Sequence, residues 1–374
     1  DNDTMEKINS DNAFTLSTGD MVFICDNVKK RVPGSSMYTV YTDDDGNTTG
    51  EDFKGENLIT GTIKGVAENR TPTVYFLSGH GEKSLDSYTK FTTNLTNYNY
   101  TAKELNLSET DSVPDDAALV LVAAPSKDIT DAEAEKLNAY LDNGGNISLL
   151  MSPNGGAFAY TNLEAIMKDY GFYMDYDRVS ETNSNYHISG DKYTIQCELN
   201  ELDDDSEATD LTSSLLNQGL YTFMPESRSF RYNDEGGKYT IAPLITTYDS
   251  AEGEPYGGIS DDPEKQSGQM LLAADSTSIA RNDSKMVVFG NAEFIDDEHV
   301  SDDTVIVPVY LFLSTISWMY DSDIDMEIST KSTTNDYISL QDAGFAKGLM
   351  VVLTVIPVAI MAAGIGIWIK RRNS

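Results

Sequence analysis

A regular alternation of predicted strands and helices between residues 73 and 151 constrains the fold of this chain more than any other feature. Short apolar runs bounded by turn residues indicate strands, and the most apolar of them are typical of strands buried on both faces. The four runs are residues 73–78, 100–107, 118–124 and 146–151. Buried strands that alternate with helices require a parallel sheet covered on both faces. We therefore predict an α/β fold with three layers and a mostly parallel sheet.

Periodicity and capping residues mark the helices of this unit. Apolar residues recur at spacings of three and four over residues 85–98, which is typical of an amphipathic helix. Thr130 and Glu133 form a capping box. A second helix is therefore predicted over residues 131–142, ending before the glycine pair 144–145.

The remaining sequence predicts fewer elements. Strands are expected at residues 21–25, 37–41, 269–274 and 285–289, and helices at residues 56–68, 162–170 and 305–320. Residues 175–260 are acidic and irregular, and no element is assigned to them.

The uncharged apolar run over residues 348–369 predicts one C-terminal transmembrane helix. At about 1.5 Å per residue it is long enough to cross a hydrocarbon core of about 30 Å. Lys370, Arg371 and Arg372 follow it, so the positive-inside rule places that end in the cytoplasm and the bulk of the chain outside. A sortase-anchored wall protein also ends in an apolar run and a short basic tail, but no LPxTG-type sequence precedes this run. A cleaved lipid-anchor signal is disfavoured as well, because such a signal usually lacks a basic end.

These features give a predicted organisation in five parts. They are a strand-rich N-terminal segment (1–70), an extracytoplasmic α/β domain (71–320), a juxtamembrane linker (321–346), the transmembrane helix (347–369) and a basic cytoplasmic tail (370–374). Because the first residue is Asp and no hydrophobic signal segment follows it, we expect the N-terminus to be truncated.

Charge excludes one class of partner. The chain has 61 acidic and 26 basic residues, a net charge of −35, so it offers no basic stripe to nucleic acid. Hydrophobic residues make up 40% of the chain, which is enough for a packed core, so the acidity indicates a solvated surface.

Cys25 and Cys197 allow either one disulfide or two free thiols.

A candidate ligand-binding crevice follows the predicted strands, because ligands bind open parallel sheets beyond the carboxyl ends of the strands. Its residues are Ser78, Gly79, His80, Gly81, Glu82, Pro125, Ser126, Pro153 and Asn154. His80 and Glu82 could act as a general base and its partner, or as metal ligands. The favoured interpretation is structural: the two glycines permit a tight turn, His80 bonds to backbone and Glu82 caps the helix that follows.

No motif for catalysis or cofactor binding strengthens the enzymatic interpretation. Ser126 lies in APSK and not in GxSxG, and the three histidines form no HExxH. The acidic turn at residues 43–47 lacks the glutamate that an EF-hand needs at its twelfth position. GxGxxG and GxxxxGK[ST] do not occur, so any ATPase must be a separate protein. We therefore predict no catalytic residue, no metal and no cofactor.

The order of several segments resembles the GldG-type auxiliary proteins of ABC transport systems, a family first associated with gliding motility. The segments are TVYFLSGHGEKSLD, VPDDAALVLVAAPSKDITDAEAEKLNAYLDNGGNISLLMSPN, VVFGNAEF and LFLSTISWMYDSDIDMEI, followed by an apolar helix with Pro357 and a basic tail. The resemblance covers residues 56–372. It implies an extracytoplasmic domain similar to flavodoxin-like or amidotransferase-like folds without their catalytic residues, partnered with an ABC permease and a cytoplasmic ATPase. The acidic segment 175–262 departs from the family pattern.

Three functions agree with these features. The favoured one is a non-enzymatic, membrane-anchored accessory subunit whose outer domain binds a substrate or partner. The second is a membrane-tethered hydrolase or amidotransferase-like enzyme that acts on cell-surface glycans or peptides through His80, Glu82 and Ser126. The third is a carbohydrate-binding module, suggested by the 21 tyrosines. The enzymatic interpretation requires the three side chains to converge within hydrogen-bond distance around a pocket.

Overall fold

The computed structural model describes residues 18–320 and residues 331, 332 and 372. The exceptions within the first range are residues 27, 33, 43–47, 54, 69–71, 98–99, 203–205, 207, 217–220, 234–236, 259–265 and 301. The chain divides into two compact units. The larger contains Asp1–Thr39 and Phe53–Lys331, and the smaller contains Val40–Asp52 and Ser332–Ser374.

The N-terminal elements are short strands followed by one helix. They are β1 (Met21–Cys25), β2 (Val28–Val32), a 3-10 helix (Gly34–Met37), β3 (Tyr38–Thr42), β4 (Thr48–Phe53) and α1 (Gly55–Glu68). β1 and β2 form an antiparallel hairpin, and Val32, Met37 and Leu58 form a small apolar cluster. The strand predicted at residues 21–25 and the helix predicted at residues 56–68 are confirmed.

The parallel half of the main sheet comes next in the chain. Its elements are β5 (Thr73–Leu77), a 3-10 helix (Leu85–Tyr88), α2 (Thr89–Asn97), β6 (Thr101–Leu105), β7 (Ala117–Ala123), α3 (Asp131–Asp142), β8 (Ile147–Leu150) and α4 (Thr161–Lys168). All four predicted strands are present. The helix predicted over residues 85–98 begins as a 3-10 turn, a common start for an α-helix.

Helix α3 begins and ends where its capping residues predict. The carboxylate of Glu133 accepts a hydrogen bond from the backbone N–H of Thr130 at 2.8 Å, and the Thr130 side chain accepts one from the Glu133 N–H at 3.4 Å. Gly144 follows the helix with a φ of 83°, a left-handed conformation that glycine adopts without steric cost.

An insertion of mostly antiparallel strands separates β8 from the last parallel strand. Its elements are β9 (Phe172–Met174), β10 (Asp177–Glu181), β11 (His187–Ile188), β12 (Asp191–Leu199), α5 (Ser213–Leu216), β13 (Thr222–Met224), β14 (Phe230–Tyr232), β15 (Tyr239–Thr247), β16 (Ala251–Pro255), β17 (Gln266–Ser267) and β18 (Leu271–Ser278). Much of this structure falls in residues 175–260, where the sequence indicated no element. The strand predicted at residues 269–274 begins later and extends to Ser278.

The chain then returns to the parallel half. Its last elements are a 3-10 helix (Ile279–Arg281), β19 (Ser284–Phe289), 3-10 helices Glu293–Ile295 and Asp303–Val305, and α6 (Ile306–Met319). The main sheet has the strand order β6-β5-β7-β8-β19-β18-β15-β12-β11. Pairings from β6 to β19 are parallel and those from β19 to β11 are antiparallel.

The predicted α/β class is therefore confirmed, with a large mixed sheet. The insertion makes the sheet mixed, because its strands add antiparallel to the free edge of β19. Numbered by themselves in chain order, the five parallel strands follow the order 2-1-3-4-5, which is that of flavodoxin-like folds. A separate three-stranded sheet has the order β10-β16-β17.

Two apolar clusters cover the two faces of the parallel strands. Successive residues of β5 alternate between them, so Phe76 packs in the cluster that contains Phe91 of α2 and Phe312 of α6. Leu77 packs in the cluster that contains Leu137 of α3 and other residues of α3 and α4. Helices thus lie on both faces of the sheet, which is the predicted three-layer arrangement.

A second small sheet has three strands. A short strand, β20 (Lys331–Ser332), pairs with β4, and β4 pairs with β3.

The predicted transmembrane helix at residues 347–369 and nearly all of the predicted linker lie outside the described residues. Among the helices in the described part of the chain, none combines the length and apolar character needed to span a membrane.

The two cysteines are free thiols. Cys197 is buried in β12, and Cys25 at the end of β1 is partly exposed. Of the two states that the sequence allowed, the structure has the unpaired one.

Candidate functional site

The loops that follow β5 and β7 meet beyond the carboxyl ends of these strands. The backbone N–H groups of Ser126 and Lys127 donate to the carbonyl oxygen of His80 at 2.9 and 3.1 Å. Pro125 contacts the same edge, since its carbonyl oxygen accepts a hydrogen bond from the Tyr160 hydroxyl at 2.6 Å. The structure thus brings the predicted residues 78–82 and 125–126 together at one edge of the sheet.

Two glycines allow the β5 loop to turn tightly. Gly79 and Gly81 have φ angles of 111° and 87°, in the left-handed region that other residues rarely adopt. At Gly81 the turn also requires a small residue, because a Cβ would overlap the Ser126 hydroxyl. The turn therefore favours glycine at both positions because of their left-handed backbone conformations, and Gly81 is also required because the neighbouring loop approaches it closely.

The imidazole of His80 is buried between two carboxylates. Its Nδ1 lies 3.2 Å from Glu82 Oε1, and its Nε2 lies 3.1 Å from Glu133 Oε2. The Glu82 side chain also accepts the backbone N–H of His80 at 2.7 Å. Burial by itself would lower the pKa of His80, but hydrogen bonds and charges from Glu82 and Glu133 outweigh it and raise this pKa above its ordinary value.

This geometry corrects part of the structural interpretation from sequence. His80 bonds to two carboxylates and not to backbone through its ring, and Glu82 holds His80 instead of capping the next helix. That 3-10 helix has Ser84 at its N-cap without a capping side-chain bond. Glu82 bonds to His80 because the positive φ angles of Gly79 and Gly81 turn the loop back on itself and bring the Glu82 carboxylate next to His80.

The sequence indicated Glu133 only as a capping residue. In the structure the same side chain joins the N-terminus of α3 to His80 on the neighbouring loop. Burial raises the pKa of Glu133, but hydrogen bonds from Thr130 and His80 outweigh this effect and lower it. No local signal in the sequence indicates this second role, because the contact joins residues that are 53 positions apart.

The arrangement does not pair a nucleophile with a base. The Ser126 hydroxyl donates to the backbone oxygen of His80 at 3.1 Å, while both nitrogens of the His80 ring face carboxylates. A serine nucleophile needs a hydrogen bond to the base that removes its proton. Within the described residues, His80, Glu82 and Ser126 therefore join two loops and the start of α3 instead of forming a catalytic set.

The remaining predicted residues lie after β8. The side-chain oxygen of Asn154 accepts the backbone N–H of Gly156 at 2.9 Å, which closes a tight turn next to Pro153. A residue that the sequence did not indicate lies beside this turn: the guanidinium of Arg228 donates from Nη2 to the carbonyl oxygen of Ser152 at 2.9 Å. Arg228 belongs to the insertion, whose irregular sequence carried no periodic signal.

One group of side chains could hold a metal ion among the residues that the structure describes. Asp296, Glu298 and His299 bring ligand atoms within 4.8 Å of one another. However, the Asp296 carboxylate already accepts hydrogen bonds from Lys83 Nζ at 2.6 Å and His299 Nδ1 at 2.7 Å. Burial raises the pKa of Asp296, but Lys83 and His299 together lower it, as in a structural ion pair.

Comparison with known families identifies the chain. A family model described as an ABC-type uncharacterized transport system, of the auxiliary type, matches residues 71–308, well over half of the 374 residues. The chain belongs to this family. The match to the ABC transport auxiliary family fits the resemblance to GldG-type proteins and covers both the parallel half and the insertion. No curated protein matches this ABC transport auxiliary protein.

Three solved structures match this chain at low identity. The mmIFT52 N-terminal domain is 16% identical with a TM-score of 0.49, and the alignment covers 67% of this chain and 99% of that one. A protein from Thermoplasma acidophilum described as a GMP synthase component is 7% identical with a TM-score of 0.32, covering 67% and 96%. The exo-beta-1,4-mannosidase Op5Man5 from Opitutaceae bacterium strain TAV5 is 8% identical with a TM-score of 0.33, covering 75% and 40%. Similarities this low carry no inference about the fold or the function of this chain.

Proposed function

We propose that this ABC transport auxiliary protein is a non-enzymatic, membrane-anchored accessory subunit with its α/β domain outside the cytoplasm. The family match over residues 71–308 carries the proposal. The uncharged segment 348–369 with its basic end supplies the anchor, and the acidic domain is the part that binds a substrate or partner. A separate permease and a cytoplasmic ATPase complete the transport system.

The geometry around His80 supports a binding role over a catalytic one. Its ring is held by Glu82 and Glu133, and Ser126 bonds to backbone. A rigid strand-end loop of this kind suits a surface that contacts a ligand or a partner, because preorganised loops lose little entropy on binding. We assign the binding surface to the predicted crevice between the loops after β5, β7 and β8.

Co-purification tests the accessory role. The full-length chain with an affinity tag, solubilised from its native membrane, is expected to recover a permease and an ATPase that mass spectrometry identifies. A matched variant without residues 348–369 should move to the soluble fraction and lose both partners. Recovery of neither protein with the full-length chain would contradict the proposal.

Thiol labelling tests the orientation. Cys25 is partly exposed, so a membrane-impermeant maleimide should label it in intact cells if the domain faces outward. Cys25→Ser is the control for labelling at other sites, and Ser374→Cys in that background should react only after permeabilisation. Labelling of Cys25 only after permeabilisation would place the domain in the cytosol and refute the proposed topology.

The same experiments can be combined with a test for catalysis. Double replacement of His80 and Ser126 by alanine should leave co-purification of the permease and the ATPase unchanged in a variant that remains folded. If the double variant instead abolishes a measurable hydrolysis of surface glycans or peptides by the wild type, the enzymatic alternative is correct.

A further inference from the structure

We propose that Arg228 is the anchor of an oxyanion-binding site, for a carboxylate or phosphate group, at the carboxyl edge of the sheet between β8 and β19. The inference rests on the binding role proposed for this edge and names the chemistry of its ligand. It depends on the position of Arg228, on its burial and on the absence of a partner for two of its donors within the described residues.

The insertion places Arg228 across the ends of two parallel strands. The backbone N–H of Arg228 donates to the carbonyl oxygen of Gly290, the residue after β19, at 3.0 Å. A side chain at Gly290 would overlap the backbone of Arg228, so the two segments are in close contact. The Nη2 group bonds to Ser152 after β8. Arg228 therefore lies where ligands bind in open α/β sheets.

The backbone around Arg228 is held from both sides. Ser227 and Ser229, its two neighbours, accept backbone hydrogen bonds from Val179 at 2.8 Å and from Asp175 at 3.0 Å. The N–H of Ser229 also donates to the carboxylate of Asp177 at 2.9 Å. The backbone at Arg228 is therefore fixed by the fold, and the guanidinium is held by its bond from Nη2 to Ser152.

The guanidinium is fully buried, with 0% of the residue exposed. Its Nε and Nη1 groups have no hydrogen-bond partner among the residues that the structure describes. Burial lowers the pKa of Arg228. Arginine nevertheless stays charged in proteins, and a buried charge without a full set of partners is costly to the folded state.

Nearby groups stabilise this cation only in part. The rings of Tyr160 and Tyr176 lie 5.7 and 5.6 Å from the guanidinium carbon, within the range of a cation–π interaction. The nearby carboxylates have other partners: Asp177 accepts from the Ser229 hydroxyl at 2.7 Å, and Glu164 accepts from the Tyr176 hydroxyl. No ion pair to Arg228 occurs in the described part of the chain.

An oxyanion matches what Arg228 offers. Carboxylate and phosphate oxygens accept the charge-assisted hydrogen bonds that a planar guanidinium donates, and such bonds are stronger than those between neutral groups. The chain has a net charge of −35, so its long-range field does not attract anions. Selection for an anion must then come from short-range contacts to a buried cation, as this geometry provides.

Two glycine-rich turns lie in contact with each other, and one of them follows Ser152, the residue that bonds to Arg228. The turn at Asn154–Gly156 lies against the one at Tyr256–Gly258, where the Gly258 N–H donates to the Gly156 carbonyl at 3.0 Å. A Cβ at Gly257 would overlap the backbone of Asn154, so these turns touch without intervening side chains. The proposal requires that movement near these turns opens a path to the guanidinium, which is fully buried in this structure.

Thermal unfolding of the full chain in mild detergent tests the proposal. Sodium acetate and inorganic phosphate are added separately, each against sodium chloride at matched ionic strength, because added salt alone screens the repulsion of an acidic protein. We expect one of the two anions to raise the Tm above its chloride control, which also identifies the class of ligand. The Tm increase should be lost in Arg228→Met and retained in Arg231→Met, a control with an exposed guanidinium paired to Asp175.

A second measurement on the wild-type protein does not depend on a folded Arg228 variant. The side-chain Nε–H resonances of arginine are recorded by NMR, and the buried Arg228 signal should shift with the anion that raises the Tm and not with chloride. An anion effect that persists in Arg228→Met overturns the proposal, as does the absence of any effect beyond chloride on the Tm and on the resonance. Co-purification of permease and ATPase with Arg228→Met separates the two proposals, since loss of the anion effect alone leaves the accessory role intact.

Discussion

Replacement of Glu133 tests how the His80 loop is held, because this carboxylate has two separable roles. It caps α3 through the backbone N–H of Thr130 and it faces Nε2 of His80. Thr130→Ala removes the side-chain half of the cap together with the hydroxyl that donates to Glu133 Oε2 at 2.6 Å. Glu133→Gln keeps an acceptor for the cap but removes the charge beside His80, and Glu133→Ala removes every contact of the carboxylate. The three variants together separate the cap from the buried contact.

The expected costs follow from these contacts. Loss of an N-cap side chain costs about 1 kcal/mol. Glu133→Ala loses a cap bond of about 1 kcal/mol and leaves a buried ring nitrogen without a partner, which costs about 1–3 kcal/mol more, so the free energy of unfolding should fall by roughly 2–4 kcal/mol. Glu133→Gln replaces a charge-assisted bond with a neutral one and should cost about 1 kcal/mol.

The stability difference between the wild type and Glu133→Gln should depend on pH in a defined direction. The pKa of His80 is raised in the folded state, so its stabilising contribution is complete below the unfolded pKa of about 6.5 and is lost as the pH rises through the folded pKa. The difference in unfolding free energy between the wild type and Glu133→Gln should therefore be larger at about pH 5.5 than at about pH 8.5.

Urea unfolding followed by far-UV circular dichroism at the two pH values measures these differences, with equal m-values as the check that the same unit unfolds. Two results would refute the reasoning. One is a cost for Glu133→Ala no greater than that for Thr130→Ala, and the other is a difference for Glu133→Gln that does not change with pH.

Further predictions concern other parts of the larger unit. Asp275 is fully buried and burial raises its pKa well above the ordinary value, so its effect is to lower stability as the pH rises above about 3.9. In thermal melts Asp275→Asn should be more stable than the wild type at pH 8, with no gain near pH 4. Gly81→Ala should destabilise the protein by about 1–2 kcal/mol more than Gly190→Ala in urea unfolding, because both have a positive φ but only Gly81 lacks space for a Cβ. Equal costs would contradict this. Ellman's reagent should modify Cys25 in the native protein and Cys197 only in denaturant, because burial raises the pKa of the Cys197 thiol; equal native rates would refute this.

Local signals made the parallel half predictable from sequence. Helix α3 was located to the residue because its capping box and terminal glycine act within one turn of its ends. The strands β5, β7 and β8 were located because burial on both faces gives continuous apolar runs.

The insertion was not predictable by the same means. Strands such as β10 and β16 are short and carry charged residues, and their pairing depends on partners distant in sequence. The sequence placed His80 and Ser126 at one edge of the sheet, but it could not show that Glu133 contacts His80 or that Arg228 contacts Ser152. Both contacts are created by tertiary packing and leave no local pattern.

The position of the insertion has a consequence for the order of folding. Ser284, the first residue of β19, donates a hydrogen bond to the carbonyl oxygen of Gly145, which is 139 residues away in sequence. Because closing so long a loop is entropically unfavourable, we expect β19 to join the sheet only after the insertion has collapsed and brought its own ends together. Nascent chains that stop within the insertion would then expose the apolar edge of β8, which makes this edge a natural target for chaperones during synthesis.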